Sequence, residues 1–402
     1  MKLIKYSIVF ILSLSTSSIN TKAVLDENQT EKPIAVMAYY VPEKDYKPET
    51  LPLNQLTHII FSFTKVIDNE MKFNNDSYGE KLRQLVAQRK KHPNLKVMVA
   101  CGGWAAKGFS DMAHTAETRN KFVESVVRFN KKYDLDGIDI DWEYPGIPAG
   151  NTKARPEDKQ NFTLLMKELR KALNTLERTQ TLTFASAGWK RYYNNIELNE
   201  VMKYVDFMNI MTYDQVSGNA PFTGHHTALG WIKTENLKDL LTADFYTEMQ
   251  KRSAEHDTEY EPNSTEMIVD YCISKGVKPE QIVIGAAFYG KAWKGVSSMN
   301  NGLYQANKGA FATIVYRDIR EKFESDKNYK RYWDSVAKAP YLFNASDSIF
   351  ITFDDTVSVK LKTKYAKKEK LGGIMFWQLG QDVKEKSSLL NAIYTASKSS
   401  SE

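Results

Sequence analysis

Residues 136–145 read Asp-Gly-Ile-Asp-Ile-Asp-Trp-Glu-Tyr-Pro, and the reading of the whole chain turns on them. Side chains on a strand alternate between its two faces. Asp139, Asp141 and Glu143 therefore point one way, while Ile138, Ile140 and Trp142 point the other. If the strand belongs to a barrel, the apolar set meets the surrounding helices and the acids face the interior. Pro145 and Gly146 end the strand. That places Glu143 at its C-terminal mouth, where barrel enzymes keep their active sites.

Three carboxyls in a row on an enclosed face are not solvated surface. Neighbours on one face lie about 6.6 Å apart. At an effective dielectric of about 20, each ionised pair repels by roughly 2.5 kcal/mol. That repulsion approaches about two pKa units per pair, so at least one carboxyl is expected to keep its proton near neutral pH. Sequences tolerate such crowding mainly at functional sites. A protonated carboxyl beside an ionised one suits glycoside hydrolysis, which ordinarily sets an acid and a nucleophile on opposite sides of the scissile bond. Here all three candidates share one strand. The nucleophile must then come from elsewhere, and a 2-acetamido carbonyl on the substrate can supply it.

Working outward, strand-length apolar runs occur at Ile34–Tyr40, His58–Phe63, Lys96–Ala100, Gly137–Trp142, Leu182–Ala187, Val205–Thr212, Ile282–Phe288 and Gly373–Leu379. Helical patterns such as Glu80–Lys91, Ala116–Lys132 and Lys159–Leu176 lie between most of them. Strands alternating with helices imply a parallel sheet covered on both faces. Eight such units close naturally into an α/β (β/α)₈ TIM barrel. An open doubly wound sheet is the alternative, but no Gly-rich phosphate turn follows the first strand.

Two connections are too long for ordinary barrel loops, about 70 residues after Asp214 and about 80 after Gly290. The second is expected to carry a small α+β insertion domain between strand 7 and helix 7. The expected organisation is a signal peptide over 1–23, a catalytic barrel over 30–293 and 351–396, the insertion over 294–350, and a disordered tail over 397–402.

Composition excludes some classes. The chain has 402 residues, 42% of them hydrophobic, and 55 Lys+Arg against 49 Asp+Glu. That mild net charge of +6 is spread along the sequence, without the basic patch a nucleic-acid binder gathers. At the N-terminus, Lys2 and Lys5 precede an apolar run from Ile8 to Leu14 and small residues leading to Ala23. This reads as an export signal, too short to span a bilayer. The two cysteines, Cys101 and Cys272, read as free buried thiols. The six histidines show no metal-ligand spacing, and His225-His226 reads as loop structure. No metal or organic cofactor is expected.

The pattern Asp136-x-x-Asp139-x-Asp141-x-Glu143 resembles the signature of glycoside hydrolase family 18, the family of many chitinases. Further likenesses run over nearly the whole chain after the leader. Leu56–Phe63 and Lys96–Trp104 resemble the family's second and third strands, with Gly102-Gly103-Trp104 following. Met211-Thr212-Tyr213-Asp214 resembles the end of strand six, Gly285–Trp293 strand seven, and Gly373–Trp377 the last strand. The resemblance implies a retaining, substrate-assisted cleavage of β-1,4-linked N-acetylglucosamine polymers through an oxazolinium intermediate.

By that resemblance, Glu143 protonates the glycosidic oxygen. Asp141 orients the acetamido nitrogen, Asp139 shares a proton with Asp141, and Tyr213 hydrogen-bonds the acetamido carbonyl. Asp214, Trp377, Met211, Trp104, Gly103 and Tyr144 contact substrate, Trp377 as the floor, with Tyr39 and Phe61 at the pocket floor and Asp136 in support. Trp293 is expected as a cleft or loop aromatic. Two departures stand out: Ala100 replaces a usual Ser that helps bind the buried acids, and Lys291 replaces an Arg, removing a planar fork of donors. Alternatives are an endo-β-N-acetylglucosaminidase acting on the chitobiose core of N-glycans, and an inactive chitin-binding lectin on the same scaffold. Partners are expected to be chitin or its oligosaccharides, with no nucleic acid, no membrane span and a monomeric state.

Overall fold

The computed structural model describes residues 33–42, 47–237, 245–249, 251, 261–384 and 387–399. The expected signal peptide over 1–23 and residues 400–402 lie outside the described residues. In chain order the strands are β1 (Ala35–Tyr40), β2 (His58–Ile67), β3 (Glu70–Lys72), β4 (Lys96–Gly102), β5 (Gly137–Asp141), β6 (Thr181–Ala187) and β7 (Phe207–Met211). They continue as β8 (Ile282–Ala287), β9 (Tyr289–Lys294), β10 (Ala310–Val315), β11 (Lys330–Asp334), β12 (Ala339–Asn344), β13 (Ile349–Phe353) and β14 (Gly373–Trp377).

Eight of these strands are parallel and run β1-β14-β8-β7-β6-β5-β4-β2, and β2 pairs back onto β1 to close the barrel. The short β3 hangs antiparallel on the outer end of β2. Alternation sorts the side chains into two cores. Outward residues such as Val36, Ile59, Val97, Ile138, Ile140 and Ile284 pack under the helices. Inward residues such as Met37, Ile60, Met98, Val283 and Met375 fill the lumen.

Helices form where the sequence supplies both a stop and a stripe. In Ala116–Tyr133, Thr115 caps the N-terminus with a reciprocal bond to Thr118, and Phe122, Val123, Val126 and Phe129 recur at helical spacing on the buried face. The neighbouring helix Asp158–Leu173 is tied to it through Arg119 and Glu168, 3.1 Å apart.

The second long connection holds a five-stranded antiparallel sheet, ordered β10-β9-β13-β12-β11. Its first strand starts at Tyr289, ahead of the expected boundary at Lys294, and its last ends at Phe353. Only Phe288 separates β8 in the barrel from β9 in this sheet. Its ring stacks on Phe376 at 4.1 Å, and its amide bonds the Trp377 carbonyl. The Gly285–Trp293 segment is thus divided between barrel and insertion. Trp293, expected in the cleft, is instead fully buried against Phe350 in the insertion's own core.

The tail also differs. Helix Leu389–Lys398 runs two residues into the stretch read as disordered, because Ser388 caps it and Leu389, Leu390, Ala392, Ile393 and Ala396 form its buried face. Both cysteines are free and buried. No described helix is long and apolar enough to cross a membrane.

Candidate active site

The acidic strand sits as its alternation requires. Ile138 and Ile140 join the outer core, and Trp142 stacks on Phe109 at 5.4 Å beneath the helices. Asp139, Asp141 and Glu143 take the lumen side, and Asp141 and Glu143 line a pocket of about 730 Å³ at the C-terminal mouth. Gly102 makes the approach of β4 possible. It adopts φ +127°, and a Cβ there would lie 1.9 Å from the Asp141 carbonyl oxygen. The next amide, Gly103 N–H, donates to that same oxygen at 2.9 Å.

Asp139 lies deepest and is fully buried. Three donors surround it: Thr183 Oγ1 at 2.5 Å, Tyr39 hydroxyl at 2.9 Å and Asn209 Nδ2 at 3.2 Å. Ala100 is its register partner on β4 and offers no donor, so the bonds expected from a Ser there come from β1, β6 and β7 instead. Burial pushes the Asp139 carboxyl up to about 6 against those three bonds.

Asp141 is pushed well above the usual carboxylate range by burial, then by the charges of Glu143 and Asp139. It hydrogen-bonds Glu143, and its Oδ1 is buried without a partner. Glu143 is pushed up to about 7, chiefly by burial, helped by the Asp214 charge and opposed by bonds from Tyr144 and Asp141 and by the Lys65 cation. Tyr144 and Tyr213 are held protonated at any working pH by burial and the neighbouring acids, so both are donors.

Asp214 faces the acids from the end of β7 at φ 56°. Its Oδ1 accepts from Tyr289 hydroxyl at 2.6 Å and meets Lys291 Nζ at 2.8 Å, with His226 Nδ1 at 3.7 Å. Partial burial would raise it, but His226 and Lys291 outweigh that and hold it well below the usual carboxylate range. Lys291 thus substitutes a point contact for the missing fork.

Of the expected floor aromatics, Tyr39 and Trp377 line the pocket, with ring centres 6.0 Å apart. Phe61 does not. It points outward and packs edge-on against Phe73 and Tyr78 at 5.8 and 5.9 Å. Phe63 takes its place, stacked on Trp377 at 5.4 Å. A register shift between Ser62 and Thr64 re-aims one side chain, as bulges do. Trp104 (64% exposed), Gly103, Met211 and Tyr144 also line the pocket.

Asp136 is not in the pocket. It precedes the first residue of β5, where it accepts from Val97 N–H at 2.8 Å and pairs with Arg89 and Arg178 at 3.0 and 3.1 Å. It braces the opposite end of the strand. Residues not anticipated include Lys65, Trp189 and Tyr289, all on the pocket wall, and the buried His226 behind Asp214. Lys65 is delivered by the bulge and His226 by a long connection, Trp189 follows the end of β6, and Tyr289 lies inside the Gly285–Trp293 segment without having been singled out.

The family model described as Glycosyl hydrolases family 18 matches residues 35–382. Chitinase A1 of Niallia circulans is 35% identical over 334 residues, covering 79% of this chain and 45% of its own length. Chitinase B of Serratia marcescens is 30% identical over 411 residues, covering 88% of this chain and 78% of its own. Among solved structures, a glycoside hydrolase family 18 N-acetylglucosaminidase from Paenibacillus barengoltzii superposes with a TM-score of 0.77 at 34% identity, over 90% of this chain and 99% of that one. The chain thus spans under half the length of the first of these relatives.

Proposed function

This chain belongs to glycosyl hydrolase family 18, and we propose that it cleaves β-1,4-linked N-acetylglucosamine polymers with retention, using the substrate's acetamido group as nucleophile. One observation carries this reading. The proton-retaining acid at the mouth, Glu143, and its partner Asp141 lie on one wall. Asp214 is the only other carboxylate among the described residues lining the pocket. It is already bound by Tyr289 and Lys291, which lowers its power as a nucleophile. A group on the substrate meets that need.

In the proposed sequence, Glu143 gives its proton to the glycosidic oxygen as the bond to the anomeric carbon breaks. The acetamido carbonyl oxygen bonds that carbon from the opposite face, giving an oxazolinium ion. Tyr213 donates to the carbonyl oxygen and Asp141 accepts from the acetamido N–H, turning from Glu143 to do so. Asp139, held among its three donors, takes up the proton Asp141 gives over. Water then opens the ring, losing its proton to the Glu143 carboxylate and restoring the acid.

Trp377, stacked on Phe63 and tilted against Tyr39, offers a flat apolar face to the sugar ring. Trp104, Met211, Gly103 and Tyr144 would contact neighbouring units. The five-stranded sheet would act as a cleft wall through Tyr289 and Lys291 on β9. The charged and apolar start of the chain supports export, which N-terminal sequencing of protein from the medium or periplasm would test.

Product analysis from a chitin hexamer tests the activity. Dimers and trimers of retained configuration are expected from the wild type and none from Glu143→Gln. Release of single N-acetylglucosamine units alone would reassign the enzyme to the action named for the Paenibacillus relative. Equal turnover by the variant would remove Glu143 from its role. Glycoprotein core cleavage without chitin cleavage would favour the N-glycan substrate.

A further inference from the structure

Lys65 is a pocket cation that the proposed chemistry does not use. It lies on β2 beyond the bulge, where the strand has left the barrel wall and runs with β3. Its ammonium is fixed rather than swinging in solvent. Nζ donates to the Gly102 carbonyl at 2.5 Å and rests 5.0 Å from the centre of the Phe63 ring. Phe63 in turn stacks on Trp377, and Gly102 is the register partner of Asp141. The charge is therefore anchored between the aromatic floor and the acid strand.

The cation is also uncompensated. Among the described residues, no carboxylate lies within ion-pair distance of Lys65, whereas Lys291 on the other wall is neutralised by Asp214 at 2.8 Å. Asp141 and Glu143 both retain protons into the weakly acidic range and do not cancel it there. Below about pH 6, where Asp139 also holds its proton, this side of the pocket carries net positive charge, against walls of low polarisability that favour long reach.

We propose that Lys65 is a specificity-determining residue that makes the pocket discriminate against deacetylated, protonated glucosamine in the units flanking the one that supplies the acetamido nucleophile. The inference rests on the glycosidase reading above and adds a preference within it. An uncharged acetamido group next to Lys65 meets no penalty, while a second ammonium meets like-charge repulsion. A contact of about 6 Å at an effective dielectric of about 40 corresponds to about a tenfold loss in kcat/KM. Salt compresses such a ratio.

The test compares kcat/KM at pH 5.5 for the fully acetylated chitin tetramer and for tetramers carrying a single terminal glucosamine. Wild type, Lys65→Gln and Lys65→Arg are measured at low salt and at high salt. The acetylated substrate is expected to lead by about tenfold in the wild type at low salt. The lead should shrink several-fold in Lys65→Gln, survive in Lys65→Arg and shrink with salt in the wild type. A second readout follows from the groups around Glu143, namely Asp141, Tyr144, Asp214 and Lys65 itself. Removing the cation removes a force favouring ionised Glu143, so the alkaline limb of the Lys65→Gln profile moves up. A ratio unchanged between wild type and Lys65→Gln, or insensitive to salt in the wild type, overturns the inference alone. No turnover of the acetylated tetramer by the wild type overturns the glycosidase reading and this inference with it.

Discussion

Glu143→Gln should make the protein more stable above pH 7 while abolishing turnover. Burial carries the Glu143 carboxyl from 4.5 in its ordinary setting to about 7 in the fold. The unfolded chain therefore releases this proton near pH 4.5, and the folded chain holds it until about 7. Between those values the native state binds the extra proton, so stability falls as pH rises and levels off above the folded value. A shift of about 2.5 units at ~1.36 kcal/mol each is about 3 kcal/mol, shared with Asp141 through their hydrogen bond. Gln keeps the shape and has no proton to lose. Urea unfolding of wild type and variant at pH 4, 6 and 8 measures the difference. The variant should gain up to about 3 kcal/mol at pH 8, about half that near pH 6 and almost nothing at pH 4. Equal midpoints at pH 8, or a gain as large at pH 4, would show that Glu143 is not held protonated by its surroundings.

Tyr144→Phe removes a donor that favours ionised Glu143, so the acid keeps its proton to higher pH; the alkaline limb of kcat/KM should rise by about one unit, and a downward move would contradict the assignment. Lys362 is fully buried with Asp354 at 2.7 Å, so Lys362→Met should cost about 3–5 kcal/mol in chemical unfolding by leaving that carboxylate unpaired. Phe61→Ala should cost about 3–5 kcal/mol with little change in KM, because the ring packs under the helices. Phe63→Ala should do the reverse, raising KM several-fold at small cost in stability; a shared phenotype would argue against the bulge.

What the sequence discloses here follows its periodicity. The eight barrel strands are legible because each is a compact apolar run, and period-two alternation alone places Asp139, Asp141 and Glu143 inside. The same rule holds at Phe61, which shares the outward face with Ile59, and fails at Phe63. A one-residue bulge between Ser62 and Thr64 separates two phenylalanines that alternation would keep on one face, and no composition signal marks it. The place of Asp136 is likewise hidden in the linear pattern. It belongs to the motif but stands at the strand's far end, where Arg89 and Arg178 clamp it, and a linear pattern does not show that its members occupy different ends of a barrel. The start of the insertion is hidden in the sequence because β8 and β9 are separated by a single residue and look like one run.

The two long connections then explain a feature of the acid that its own strand does not. Asp214 stands at the end of β7 and is gripped from both insertions. His226 reaches it from the connection after β7, and Tyr289 and Lys291 from the one after β8. Together they keep it ionised far below the pH at which carboxyls usually titrate. A permanent negative charge across the pocket is one of the forces that raises Glu143. The proton on the proposed acid therefore depends on residues more than 80 positions away along the chain. A barrel stripped of both connections would keep the acidic strand and lose part of what tunes it. The insertions are thus part of the electrostatics of the site as well as its walls.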